Sequence, residues 1–163
     1  MECTNRPTPA HGPSDVAGAP ALRDAAEILA STEADEAAAD EARERYRTRP
    51  TAALAPDARI GPLLAPGEQV LAKRESAFVD RRQPLPGSDE PSGIAGDLYL
   101  TSRRLVLAGR YTLAFELDEI EEALLSGDQL LLVMRDGRGA SVSVAQPRLL
   151  RVEIAAARAV ARG

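Results

Sequence analysis

The sequence predicts a mainly β domain with accompanying helix: seven strands curled into a bent barrel or sandwich, capped by a C-terminal helix and preceded by a helical extension. Three features carry this prediction. Short runs of alternating apolar and polar residues recur between residues 69 and 145, separated by turn-forming residues. Asp136-Gly137 stands between two such runs and marks a tight hairpin. Pro147 then opens a segment whose apolar residues repeat at helical spacing, as one closing helix would require.

Residues 1–20 carry Pro7, Pro9, Pro13 and Pro20 among small polar residues and are expected to form a disordered tail. Residues 21–48 favour a helical extension, with a short stripe of Leu22, Ala26 and Leu29 interrupted at Ser31-Thr32. Thr32 with Asp35 suggests a capping box opening a second helical segment, and Arg43, Arg45 and Arg47 suit its C-terminal end. Because that segment is apolar almost only through alanine, it is expected to lie loosely beside the domain. Residues 49–66 form a proline-rich linker whose Leu54, Ile60, Leu63 and Leu64 should rest against the domain.

The domain itself spans residues 67–163. Its first strand runs from 69 to 82, with Val70, Ala72, Ser76 and Phe78 on one parity. A loop rich in Pro, Gly and acids covers 83–95. Further strands follow at 97–101, 104–108 and 112–117; residues 120–125 fit strand or helix equally. The hairpin strands occupy 129–135 and 140–145. In the last helix, Leu150, Ile154, Ala157 and Ala161 form the buried stripe, with Arg148, Arg151, Arg158 and Arg162 opposite.

Composition removes several function classes. The 163 residues carry a net charge of −5, of which −4 falls on residues 1–66 and −1 on the remainder. Neither part has the positive excess of a nucleic-acid or polybasic membrane binder. Aromatics make up 3% of the chain, with no Trp, so stacking platforms for single strands are scarce and no nucleic-acid partner is expected. The single cysteine, Cys3, excludes an intramolecular disulfide, and the single histidine, His11, lies in the tail. No catalytic residue, metal ligand set or cofactor motif is therefore expected. The acidic run Glu116, Asp118, Glu119, Glu121 and Glu122 has no companions for acid–base chemistry and should be a solvated rim. With no apolar leader at the start, a cytoplasmic location is expected.

Residues 96–107 (GDLYLTSRRLVL) resemble the segment that marks GRAM and bacterial pleckstrin-homology-like domains. Gly96, Thr101 and Arg104 fall on its structural positions. Pro66-Gly67-Glu68 and residues 117–120 (LDEI) are similar to the same pattern. The resemblance covers residues 67–163 and implies a seven-stranded bent barrel closed by a helix, serving as a non-catalytic binding module. Two partner classes follow from it. A protein partner could meet a sheet edge, a loop or basic residues. Anionic phospholipid could meet Lys73, Arg74, Arg81, Arg82 and Arg103, whose cations could clamp phosphate; Asp80, Asp89 and Glu90 oppose the second. Assembly of copies through the N-terminal helix is a third reading.

Overall fold

The computed structural model describes residues 18–81 and 92–162, with side chains from residue 25 onward. The expectations for residues 1–17, with Cys3 and His11, and for Arg82 and the adjacent acidic loop lie outside the described residues; residues 18–20, expected in the tail, already belong to the first helix.

Helix α1 (Gly18–Thr48) leads to a single 3₁₀ turn (Gly61–Leu63) and then the strands. These are β1 (Val70–Arg81), β2 (Gly93–Thr101), β3 (Arg104–Gly109), β4 (Thr112–Glu116), β5 (Ile120–Ser126), β6 (Gln129–Met134) and β7 (Gly139–Ser143). Helix α2 (Pro147–Ala161) ends the fold. The strands form one antiparallel sheet in the order β4-β3-β2-β1-β7-β6-β5. Residues 120–125, ambiguous in sequence, are strand.

The sheet bends around β1, which pairs with β2 over most of its length and with β7 only from Phe78 to Arg81. A bulge between Arg74 and Ala77, with Ser76 at φ +55°, makes that bend. It also corrects the expected parity. A first register shift, between Val70 and Ala72, already puts Val70 in a core on the outer face and Ala72 in the inner one; past the second, Ala77 and Val79 face inward, leaving Phe78 45% exposed. One inserted residue exchanges the faces of everything beyond it.

β2 begins four residues earlier than its alternation suggests, because Gly93-Ile94-Ala95, expected in the loop, is strand and Gly96 continues it. Gly96 of β2 and its partner Gly109 of β3 serve close approach, not turning. A Cβ on Gly96 would lie 2.6 Å from the Ala108 carbonyl oxygen, and one on Gly109 2.2 Å from that of Ala95.

The sheet does not close. β4 and β5 do not pair, since the chain between them turns and spends its hydrogen bonds elsewhere: Leu117 N–H on Arg103 O, and Arg135 N–H on Glu119 O. The concave side holds one core, built from Val79, Leu98, Leu100, Leu105, Leu107, Ile120, Leu130, Leu132, Val142 and the Leu150–Ile154 face of α2. Ala161, expected on that face, is exposed. A second, smaller core lies on the outer side of β2 and β3, where Ile60 packs on Val70, Tyr99, Val106 and Ala108 with Leu64 beside it. The proline-rich segment thus covers this face, though Leu54 and Leu63 remain exposed.

Helix α1 is continuous through Ser31-Thr32, and Leu29 of its expected stripe is exposed. The face it buries is Asp35, Ala39 and Ala42, set against Val152 with Tyr46 and Leu149. Asp35, Ala39 and Ala42 follow i, i+4 and i+7 spacing, and the two alanines among them let the helices approach closely. Asp35 opens no second segment. Its carboxylate accepts the N–H groups of Arg148 at 2.8 Å and Leu149 at 2.9 Å, capping α2 from another helix. Gln146, the residue at α2's own cap position, has φ +57° and makes no side-chain cap.

Candidate functional site

The basic residues that the sequence offers for an anion do not converge. Lys73 lies on the outer face of β1 and is neutralised there: its Nζ is 3.1 Å from Asp57, 3.3 Å from Glu75 and 3.8 Å from Asp97. Hydrogen bonding to Asp57 raises the Lys73 ammonium above its ordinary value. Tyr99 donates to the same Asp57 carboxylate at 2.8 Å, and the Tyr99 and Ile60 bonds hold that carboxyl far below its usual range.

Arg74 points the other way, to α2. Its guanidinium meets Glu153 at 2.7 Å, with side chains only 11% and 10% exposed. Burial pushes the Glu153 carboxyl up and outweighs the attraction of Arg74. Arg103 is exposed in the β2–β3 turn, beside the Val70↔Thr101 end of the β1–β2 pair. Arg81 ends β1 beyond the Asp80↔Gly93 pair at the other extremity. Strand geometry separates these two by roughly 30 Å. They cannot share one headgroup.

Arg81 does line a cleft of ≈ 200 Å³ with Phe115, Met134 and Arg138, at the gap between β4 and β5. Arg138 was not singled out in the sequence because it belongs to the hairpin turn, where Asp136 pairs with it.

The motif residues have structural tasks. Thr101 Oγ1 lies 2.7 Å from Glu68 Oε1 and 2.9 Å from Arg104 O, and accepts the Arg104 N–H at 3.0 Å. Arg104 donates to Glu68 at 2.9 and 3.1 Å and to Leu63 O at 2.6 Å. Burial raises the Glu68 carboxyl, but bonds from Arg104, Ala65 N–H and Thr101 outweigh it and leave it lowered. This latch ties the start of β1, the β2–β3 turn and the proline-rich segment together. Gly96 supplies the close strand approach described above.

A different feature combines free main-chain groups with side chains of one chemistry. β5 is an edge strand, paired with β6 on one side only. Along it lies α2, and the two enclose an open groove of ≈ 250 Å³ lined by Glu121, Leu124, Arg151, Ile154 and Arg158, among others. Leu124 is 41% exposed at its rim. Arg158 donates to the Glu121 carbonyl at 3.2 Å, while its buried Nε has no hydrogen-bond partner. The sequence showed these arginines as the polar face of the last helix. It could not show that a strand edge runs beside them.

No known sequence family matches the chain, and no curated protein matches it. Among solved structures, the chain is similar to the Vps36 N-terminal PH domain, with a TM-score of 0.50 at 16% identity, over 69% of this chain and 96% of that one. It is also similar to the C-terminal domain of an unknown protein from Leishmania infantum, at a TM-score of 0.47 and 15% identity, over 62% and 92% of the two chains. The first likeness places the fold: it is pleckstrin-homology-like, as residues 96–107 suggested.

Proposed function

We propose that this chain is a non-catalytic interaction module that binds a partner protein along the free edge of β5. One observation carries the reading. β5 offers an unpaired strand edge with α2 beside it, so an added strand would gain main-chain hydrogen bonds from the edge and side-chain contacts in the groove. Leu124 at the rim provides apolar contact for such a strand. The phospholipid reading has less support: Lys73 and Arg74 are engaged inside the molecule, and Arg103 stands far from Arg81. The fold-level likeness is compatible with either partner.

The test compares positions three strands apart in the sheet. Partners captured on the immobilised full-length chain should be lost with Leu124→Asp and kept with Arg81→Glu. Little co-sedimentation with phosphatidylserine vesicles is expected at low salt. Partners kept by Leu124→Asp and lost with Arg81→Glu, or strong sedimentation abolished by Arg81→Glu, would move the site to the β4–β5 gap.

A further inference from the structure

Arg151 and Arg158 of α2 lack the acidic partner that Arg148 of the same helix and seven other described cations have. Arg43, Arg47, Arg59, Lys73, Arg74, Arg104, Arg138 and Arg148 each stand within 4.0 Å of a carboxylate. Among the described residues, Arg151 and Arg158 have no such ion pair, although both line the groove beside β5. They are seven residues apart on one helix, and so share a face.

Arg158 shows the imbalance most clearly. Its nearest hydrogen-bond partner is a neutral carbonyl, that of Glu121, and its Nε is buried without any. Burial, with Arg162 and Arg135 close by, holds its guanidinium below the ordinary value. A cation among cations, partly withdrawn from water, is a site short of negative charge.

We propose that the groove between β5 and α2 takes an extended acidic segment of a partner protein, with carboxylates directed at Arg151 and Arg158. The inference rests on the β5-edge reading and names the chemistry of its occupant. A strand laid against β5 projects alternate side chains to opposite faces. One set would face α2, where acids meet the arginines; the other would lie on the Leu124 side, where apolar residues fit. Glu121 and Glu122 line the same groove, so acids are favoured only at the positions that meet Arg151 and Arg158. The preferred pattern is therefore acidic–apolar alternation. Docking would draw Arg158 from the Glu121 carbonyl, freeing both the strand edge and the guanidinium.

Fluorescence anisotropy with full-length chain and a labelled peptide of alternating Glu and Val tests this, with alternating Lys and Val as control. The Glu–Val peptide should bind, weaken with added salt, and lose about tenfold in affinity with Arg151→Glu, a substitution at an exposed position. Arg158→Glu should lose at least as much, but it also removes a contact to β5, so Arg151→Glu is the decisive variant. Equal or stronger binding of the Lys–Val peptide, still lost with Leu124→Asp, would overturn the acidic preference and leave the β5 edge standing. Glu–Val binding that ignores Leu124→Asp but disappears with Arg151→Glu would leave the acid site and remove strand addition. A protein that dimerises alone and is dissociated by Arg151→Glu would overturn the proposal in favour of a second copy, whose Glu121 and Glu122 would then supply the acids.

Discussion

At the scale of single residues, the interior contains one ion pair whose loss should be costly. Arg74 and Glu153 join β1 to α2 with little solvent contact, so removing either partner strands a buried charge. Arg74→Met and Glu153→Met are each expected to destabilise the fold by about 3–5 kcal/mol in urea titration, and the double substitution by clearly less than their sum. The raised Glu153 carboxyl also has a pH signature. A carboxyl raised on folding keeps its proton longer in the native state, so its contribution is present below its ordinary value of 4.5 and is lost as pH rises through the folded value. Glu153→Gln should flatten the fall in stability across that window. Gly96→Ala should cost about 1–3 kcal/mol by thermal denaturation, because the new methyl meets the Ala108 carbonyl and β2 must move from β3. Gly96, Thr101 and Arg104 were legible as a motif because strand, turn and strand are contiguous there. The fates of Lys73 and Arg74 were not: Asp57 and Glu153 reach them only through the fold, from 16 and 79 positions away.

At the scale of elements, the informative unit is the pair of helices. α1 carries little apolar surface beyond alanine, which reads as a helix with nothing to bury. Its contribution lies instead in Asp35, which satisfies two N–H groups at the start of α2 that Gln146 leaves uncapped. Asp35→Ala is expected to destabilise the fold by about 1–2 kcal/mol and to speed amide exchange at Arg148 and Leu149 first. Asp35→Asn should retain part of the cap. Uniform exchange acceleration across the sheet instead would mean that the contact is not local to α2. The same carboxylate looked like the third position of a capping box, since local spacing cannot say which helix an acid will cap. β1 shows a second limit of local pattern. Its alternation was visible, but the Arg74–Ala77 bulge reverses its faces, and a bulge leaves no period of its own. The last helix was legible through Leu150, Ile154 and Ala157 of its stripe, because α2 meets the core with the ordinary helical repeat, while Ala161 at its end lies beyond the core.

At the scale of the whole molecule, seven strands and a closing helix followed from alternation, turn residues and one change of period. The open seam and the free β5 edge did not, since pairing between distant strands depends on how the chain turns after β4. That openness gives the fold a place to add a strand, and α2 sets arginines beside it. The third reading, assembly through α1, makes its own prediction. Light scattering should show a different subunit number for the full chain and for a chain starting at Pro66 only if α1 bridges copies; the contact of α1 with α2 within one chain predicts no difference. The most direct measurement is amide exchange of the full-length chain with and without the Glu–Val peptide, resolved along the backbone. The account predicts new protection concentrated in β5 and the facing side of α2, with the β1 and β7 ends near Arg81 unchanged. Protection confined to the Arg81–Arg138 cleft or the β2–β3 turn, with β5 exchanging as before, would contradict it.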